Sequence, residues 1–214
     1  MRKIDIETWP RREHFKFFGS LNHPHAGLSA NVDVTAFYPA VKQRSISFTV
    51  ATTYMIARAA NAIPEFRHRI RGEEVVEHDI VHPAITFLTT EDLFSFAWFE
   101  YIEDFSLFAA RAAERIAHVR EHGTLEEEPG RDDVLFMTPI PWVSFTGVMH
   151  PMQFHPEDSV PRIAWGKFFK DGDLLKMPLA VQGHHALMDG IHIGRFYYKV
   201  QDYLDHPDSV LGEA

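Results

Sequence analysis

The sequence predicts an α/β protein of the two-layer α+β type, with a mixed, largely antiparallel sheet and helices packed on it. Three observations predict this class. Short runs of strand-like composition alternate with amphipathic helical segments. The pair Asp171-Gly172 separates two of these runs and is a strong hairpin signal, which favours antiparallel pairing. Neither a repeat nor a low-complexity linker divides the 214 residues, so we expect one domain over 1–214.

Hydrophobic periodicity and turn residues place the elements in order. Residues 1–18 should form an arm that ends in a basic and aromatic segment, and turn residues fill 19–27. Residues 28–35 alternate as a strand does, and 46–63 have helical spacing that Pro64 ends. Further short strands are predicted between turn signals, at 74–79, 84–89, 93–101, 133–138 and 142–147. Residues 160–169 and 173–182 should pair as the hairpin.

Two helices have clear apolar faces. The first should span about 104–121 and end before Gly123. Its stripe consists of Phe105, Phe108, Ala112, Ile116 and Val119. The last helix should begin near Asp189-Gly190. Its apolar side consists of Ile193, Phe196, Val200 and Leu204.

Composition excludes several classes of function. The net charge is -9 and no long Lys/Arg cluster occurs, so we expect no nucleic-acid partner. The chain has no cysteine, which excludes a disulfide framework, a thiolate zinc site and a cysteine nucleophile. The first residues have no signal-peptide core, and no apolar run approaches the length of a membrane helix. We therefore expect a cytoplasmic protein without a membrane partner.

The segment Gln182–Gly190 has the most informative chemistry, because two histidines precede an Asp-Gly pair between a strand and a helix. A histidine with a near-neutral pKa can take a proton from a hydroxyl and return it later. Other interpretations stay open from the residues alone. His184 and His185 could be structural histidines, and Asp189 could cap the helix. His-x-x-x-Asp could also bind metal, although no third ligand has a telling spacing.

Five segments resemble those of one enzyme family. The segment His184–Gly190 (HHALMDG) matches the HHxxxDG motif of chloramphenicol acetyltransferases, 2-oxoacid dehydrogenase acyltransferase cores and peptide-synthetase condensation domains. The remaining segments resemble the chloramphenicol acetyltransferases specifically. They are Trp9–Phe18 (WPRREHFKFF), Pro139–Phe145 (PIPWVSF), Met177–Gln182 (MPLAVQ) and His192–Phe196 (HIGRF). The resemblance implies the fold of that family over nearly the whole chain.

The resemblance also implies roles for individual residues. His185 stands in the place of the general base, whose tautomer in the family is set by its own backbone carbonyl. Asp189 stands in the place of a structural carboxylate that pairs with an arginine, here Arg11, and His184 and Gly190 complete the supporting motif. Thr138 replaces a serine whose hydroxyl donates to the oxyanion of the tetrahedral intermediate, and threonine keeps that donor. An ordinary strand threonine is the alternative for Thr138.

Acceptor and coenzyme A contacts are implied in the same way. The residues at acceptor-binding positions are Phe17, Phe18, Phe94, Phe96, Leu125, Val148 and Ala164. Several depart from the family: Phe18 replaces a usual tyrosine, and Leu125, Val148 and Ala164 replace residues of other size or polarity. The residues at positions associated with coenzyme A are Trp142, Lys167 and Phe168. Plain core packing is the alternative for each aromatic residue.

The implied activity is direct acetyl transfer from acetyl-CoA to an alcohol, with chloramphenicol as the leading acceptor and no metal. The family forms homotrimers with active sites between subunits, and its activity confers antibiotic resistance. Alternatives are an acyltransferase with another hydroxyl or amine acceptor, and a non-catalytic trimeric protein that binds a small molecule. A dihydrolipoamide acyltransferase core fits less well, because the chain has no lipoyl domain or flexible linker.

Overall fold

A seven-stranded sheet is the centre of the fold. The computed structural model describes residues 1–89, 92–122, 130–153 and 157–213. The strands of this sheet are β2 (His25–Asp33), β5 (His82–Leu88), β6 (Phe94–Trp98), β7 (Val134–Ile140), β8 (Arg162–Gly166), β9 (Phe169–Asp171) and β10 (Leu174–His184). Their order is β2-β10-β8-β7-β5-β6, with β9 beside β10. The Asp171-Gly172 turn joins β9 to β10, and Gly172 has the positive φ of 60° that this turn requires.

The pairing confirms the predicted fold class. The pairs β5–β7 and β7–β8 are parallel. Every other strand pairing within the described ranges is antiparallel. The sheet is therefore mixed and largely antiparallel.

The helices of the described ranges are α1 (Arg12–Gly19), α2 (Phe37–Gln43), α3 (Phe48–Asn61), α4 (Phe105–His122), α5 (Gly190–Asp205) and α6 (Asp208–Leu211), with a 3-10 helix at Pro64–Arg67. Of these, α3, α4 and α5 contact the strands of the seven-stranded sheet. Helix α3 is buried on almost every side. The predicted apolar side of α5 is confirmed, because all four residues are buried. In α4 the predicted stripe is buried except Ile116, which is partly buried and packs against the core.

The two faces of the sheet differ in what packs on them. Met137, Ile163 and Val181 belong to the same buried cluster as residues of α3 and α5. Side chains alternate along a strand, so Thr138, Ala164 and Ala180 point to the opposite face. Register pairs these three across adjacent strands. This helix-free face is where the predicted acceptor residues of the sheet lie.

A small sheet holds the N-terminal arm. Strands β1 (Arg2–Ile4), β4 (Glu74–Glu77) and β3 (His68–Arg71) pair in the order β1-β4-β3. The cluster above it combines Ile70 and Val75 with Ala186 and Leu187 of the double-histidine segment. Residues of the arm pack against the same cluster: Ile4, Ile6, Trp9, Phe15 and Phe18. The arm therefore supports the loop that contains His185.

One local prediction is wrong, and two helices had no assignment from the sequence. Residues 142–147 do not form a strand: β7 ends at Ile140, and Pro141 has no N–H to continue a ladder. Instead, Val143 O accepts a hydrogen bond from Lys167 N at 2.9 Å. The basic segment of the arm is the helix α1, which has no buried residue of its own and depends on tertiary contacts. Helix α2 had no assignment from the sequence.

In the described ranges, no helix combines the length and the apolarity that crossing a membrane requires.

Candidate active site

The double-histidine segment is a tight loop between β10 and α5. The N–H groups of Leu187 and Met188 donate to His184 O at 2.9 and 3.1 Å. This turn folds Met188 back onto the end of the strand. A Cβ at position 183 would lie 2.3 Å from Met188 Sδ, so Gly183 is the residue that permits this contact. Gly183 therefore leaves room for the Met188 side chain directly before the two histidines.

The backbone of His185 is held on both sides. Its N–H donates to Pro24 O at 2.8 Å, and its carbonyl oxygen accepts from Arg11 Nη2 at 3.0 Å. The Phe18 ring stacks on the imidazole, with centroids 3.9 Å apart and planes inclined by 4°. The side chain remains 32% exposed. The ring is therefore fixed in position and still accessible to a substrate.

The two ring nitrogens of His185 have different surroundings. Nδ1 lies 3.1 Å from Asp189 Oδ1, but the atoms are not aligned for a hydrogen bond. Nδ1 has no hydrogen-bonding partner in the described ranges, so the contact to the residue's own backbone carbonyl that the resemblance implies is not formed in this structure. A carboxylate only accepts hydrogen bonds, so its proximity favours the tautomer with the proton on Nδ1. Nε2 then keeps the lone pair that a general base requires.

Arg11 and Asp189 form a bidentate ion pair below this ring. Nη2 donates to Asp189 Oδ1 at 2.8 Å, and Nη1 donates to Oδ2 at 2.5 Å. Hydrogen bonding to Arg11 is the main cause that lowers the pKa of Asp189 to about 2. Because Nη2 also reaches His185 O, the pair connects the N-terminal arm to the loop of the candidate base.

The substitution Asp189→Asn should destabilise the protein, because it leaves the guanidinium of Arg11 without its charge partner. We expect a loss of about 3 kcal/mol at pH 7, near the low end for buried pairs since part of Asp189 is exposed. The folded pKa of Asp189 is below its usual value, so the stabilisation is present above about pH 4 and decreases as the pH falls toward 2. Urea unfolding of both proteins from pH 8 to pH 3 measures this.

The control for this experiment is Asp202→Asn. Asp202 forms a solvent-exposed pair with Lys199 at 3.8 Å, and such pairs contribute little to stability. Both substitutions replace a paired carboxylate with an amide, but the carboxylate of Asp202 is the more exposed of the two. An Asp189→Asn effect no larger than that of Asp202→Asn, or one that does not shrink below pH 4, would contradict the role of the pair.

The neighbouring histidines are held as neutral hydrogen-bonding groups. His184 Nδ1 accepts from Ala186 N–H at 3.2 Å, so Nε2 carries the proton and donates to Glu157 Oε1 at 2.6 Å. His192 Nδ1 accepts from Asp189 N–H at 2.8 Å, which leaves Nε2 facing Glu65. Burial is the main cause that lowers the pKa of both. Both are buried, so His185 is the accessible imidazole of the three.

The structure places Thr138 far from His185 of the same chain. Thr138 is level with Ala164 and Ala180 across two strand spacings, and His184 follows Ala180 by four residues. With about 3.3 Å per residue and about 4.8 Å between strands, the Cα atoms of Thr138 and His184 are roughly 16 Å apart. Within one chain, the two residues therefore do not act on the same substrate atom.

The other predicted site residues form two separate groups. On β6, the rings of Phe94 and Phe96 are 5.7 Å apart and on the helix-free face that includes Thr138 and Ala164. Near His185, Phe17 contacts Phe18 and is 62% exposed, and Gly190 begins α5. Val148 lines a cavity beside β10. Leu125 lies outside the described residues.

The residues expected at the coenzyme A position gather at the other end of β7 and β8. The segment after Trp142 is fixed by the bond from Lys167 N to Val143 O and by Ser144 Oγ, which donates to Lys167 O at 2.6 Å. Trp142 is largely exposed. Phe168 packs against Tyr38, with ring centroids 4.8 Å apart. Packing against neighbouring rings thus explains an aromatic residue at position 168. The exposed Trp142 has no such ring contact in the described ranges.

Comparison with known proteins identifies the family. The family model described as "Chloramphenicol acetyltransferase" matches residues 1–201. This chain belongs to the chloramphenicol acetyltransferase family. Named relatives include a chloramphenicol acetyltransferase of Klebsiella sp and one of Escherichia coli, each 35% identical over 94% of this chain and 93% of the relative. The family assignment makes the chain an acyltransferase.

Solved structures agree with this assignment. A chloramphenicol acetyltransferase structure superimposes with a TM-score of 0.84 at 29% identity, over 95% of this chain and all of the other. A dihydrolipoamide acetyltransferase of Azotobacter vinelandii has a TM-score of 0.68 at 20% identity, over 93% of this chain and 88% of the other. The second likeness concerns the fold alone.

Several residues of this candidate site had no signal in the sequence. Glu157 and Glu65 face the Nε2 atoms of His184 and His192, yet both are distant in the chain and neither is part of a motif. The Pro24 carbonyl that fixes His185 is a backbone group, which no residue pattern identifies. A carboxylate close in sequence to a buried histidine could have suggested such a pair. Here each glutamate is far from its histidine in the chain, so the sequence has no such signal.

Proposed function

We propose that this chain transfers the acetyl group of acetyl-CoA to the primary hydroxyl of chloramphenicol. The observation that carries this proposal is His185: an exposed imidazole, stacked on Phe18, whose Nδ1 faces a carboxylate while Nε2 is available as a base. Membership of the family supports the donor and the acceptor. We place the reaction in the cytoplasm and assign it to antibiotic resistance.

The chemistry follows from one base and one hydrogen-bond donor. His185 Nε2 takes the hydroxyl proton while the hydroxyl oxygen bonds to the thioester carbonyl carbon. The carbonyl oxygen becomes an oxyanion, and the Thr138 hydroxyl donates a hydrogen bond to it. The C–S bond then breaks, and the imidazolium returns its proton to the thiolate of coenzyme A. The products are the acetyl ester and free coenzyme A, with no acyl-enzyme.

The separation of Thr138 from His185 supports an active site between two copies of the chain. In one chain, the Cα atoms of Thr138 and of His184, the residue directly before His185, are roughly 16 Å apart. This distance exceeds the size of a tetrahedral intermediate. A second copy that docks its His185 loop on the helix-free face would bring the residues together. That face exposes apolar side chains at Leu88 and Phe94, which such docking would bury. We propose a homotrimer, whose cyclic symmetry makes three identical sites.

The same arrangement assigns the two substrates to opposite ends of each site. Phe17 and Phe18 would lie beside the base on the subunit that supplies His185. The facing subunit would supply Phe94, Phe96 and Ala164 as acceptor contacts. Leu125 and Val148 complete the proposed acceptor contacts. Trp142, Lys167 and Phe168 would bind coenzyme A, where the Lys167 ammonium supplies a local positive charge for phosphate in a chain of net charge -9.

Release of free thiol from acetyl-CoA, with and without chloramphenicol, tests the proposed function. We expect turnover that depends on both substrates and yields the acetyl ester, which mass spectrometry identifies. Turnover of other alcohols or amines without turnover of chloramphenicol would contradict chloramphenicol as the acceptor and support the alternative of an acyltransferase with another acceptor. Binding of chloramphenicol without thiol release would instead support the non-catalytic alternative and contradict the proposal.

A further inference from the structure

A two-residue segment, Glu157-Asp158, binds the ends of two strands beside the loop of the candidate base. Glu157 Oε1 accepts a hydrogen bond from His184 Nε2 at 2.6 Å, at the end of β10. The backbone oxygen of Asp158 accepts one from His25 Nε2 at 2.8 Å, at the start of β2. His25 and His184 are opposite each other in the strand register. Adjacent residues of one segment therefore hold this pair of strand ends.

The carboxylate of Asp158 fixes the position of this segment. It accepts hydrogen bonds from Arg162 Nη2 and, at 2.9 Å, from Val160 N–H. The N–H of Asp158 donates to Gln153 O at 3.0 Å. Arg162 is the first residue of β8. The side chain of Glu157 is therefore attached to the central sheet through the residue that follows it.

The bond to Glu157 determines what the other nitrogen of His184 does. Because a carboxylate only accepts, Nε2 carries the proton and Nδ1 keeps the lone pair that accepts Ala186 N–H at 3.2 Å. The His184 side chain is 0% exposed, so water does not replace a lost partner. Burial is the main cause that lowers the pKa of His184, and Glu157 raises it. Without the glutamate the ring would stay neutral, and only its anchoring would change.

The loop of His185 is connected to this segment from two sides. Ala186, which directly follows His185, is held by the oriented ring of His184. Pro24, whose carbonyl accepts His185 N–H at 2.8 Å, directly precedes His25. A general base must lie within hydrogen-bond reach of the proton that it takes, and small displacements of reacting groups lower the rate strongly. Contacts that hold this loop therefore affect catalysis without touching a substrate.

We propose that Glu157 is a positioning residue for acetyl transfer: its carboxylate orients His184, and His184 holds the loop that places His185 for proton transfer. The reaction in this statement rests on the proposed function. Glu157 acts through the imidazole of His184 and not on the substrate. The arrangement requires a hydrogen-bond acceptor at this position, so a neutral acceptor of the same length should serve in place of the carboxylate.

Two substitutions at position 157 test this role at saturating substrates. Glu157→Leu has no acceptor, so kcat should fall about 10-fold. The KM for acetyl-CoA should stay within about 2-fold of wild type, because the proposed coenzyme A contacts are at the other end of β7 and β8. Glu157→Gln keeps an acceptor oxygen and should lose no more than about 3-fold. The matched control is Glu114→Leu, at an exposed glutamate of α4, which should leave kcat unchanged.

Amide hydrogen exchange measured by NMR separates positioning from general destabilisation. In Glu157→Leu, Ala186 N–H should exchange about 10-fold faster than in wild type, while the amides of β8 change by less than about 2-fold. Equal acceleration at both places would overturn the positioning role. Wild-type kcat in folded Glu157→Leu, or equal losses in Glu157→Leu and Glu157→Gln, would overturn it as well. Absence of thiol release by wild type would refute the proposed function, and exchange at Ala186 would still decide whether Glu157 holds the loop.

Discussion

Replacing His185 with alanine should lower kcat for acetyl transfer by about 10²- to 10⁴-fold, with little change in folding. The imidazole is the accessible base of the loop, and its backbone contacts to Pro24 and Arg11 do not involve the side chain. Alanine therefore keeps the loop anchored while it removes the base. The rate of thiol release at saturating acetyl-CoA and chloramphenicol measures the effect.

The matched control is His118→Ala, an exposed histidine on α4 that should leave kcat unchanged. His184→Ala is expected to act differently from both. It removes the bonds to Glu157 and Ala186 N–H, so it should reduce stability as well as rate. A His185→Ala protein that retained wild-type kcat would exclude His185 as the base.

Replacing Thr138 with valine should lower kcat by about 10²- to 10³-fold, because valine keeps the shape of the side chain but removes the oxyanion donor. Thr138→Ser keeps the hydroxyl and should retain most of the rate. The contrast between these two variants separates hydrogen bonding from packing. Equal losses in both would contradict a specific role of the hydroxyl, and a loss in Thr138→Ser alone would mean that Thr138 acts through its methyl group.

A mixture of the two inactive proteins tests whether the site lies between subunits. In a mixed trimer of His185→Ala and Thr138→Val chains, a site is intact when one chain supplies His185 and its neighbour supplies Thr138. Random assembly at equal amounts gives this order at about a quarter of the sites, so about a quarter of the wild-type activity should return. A site built from one chain would recover none.

Local pattern was sufficient for several regular elements of this protein. Helix α5 and its buried face follow from apolar residues at helical spacing after Asp189-Gly190. Helix α4 follows from its stripe, and the β9–β10 hairpin from Asp171-Gly172. The prediction of a strand at 142–147 was wrong, because Pro141 and the bond from Lys167 to Val143 hold these residues as a connecting segment. Helix α1 was missed because its stability comes from packing against the double-histidine loop.

The sequence by itself determined the fold class, the double-histidine motif and the family to which these residues point. Only the tertiary structure decided which side chains form hydrogen bonds and ion pairs with each other. The pairing of Arg11 with Asp189 was implied only by the family resemblance. The structure adds a hydrogen bond from Arg11 Nη2 to His185 O, through which the pair also holds the backbone of the His185 loop. Glu65, Glu157, His150 and Gln182 acquired their partners only through folding. Periodicity records which side of an element is buried, whereas hydrogen-bonding partners distant in the chain are set by how the elements pack.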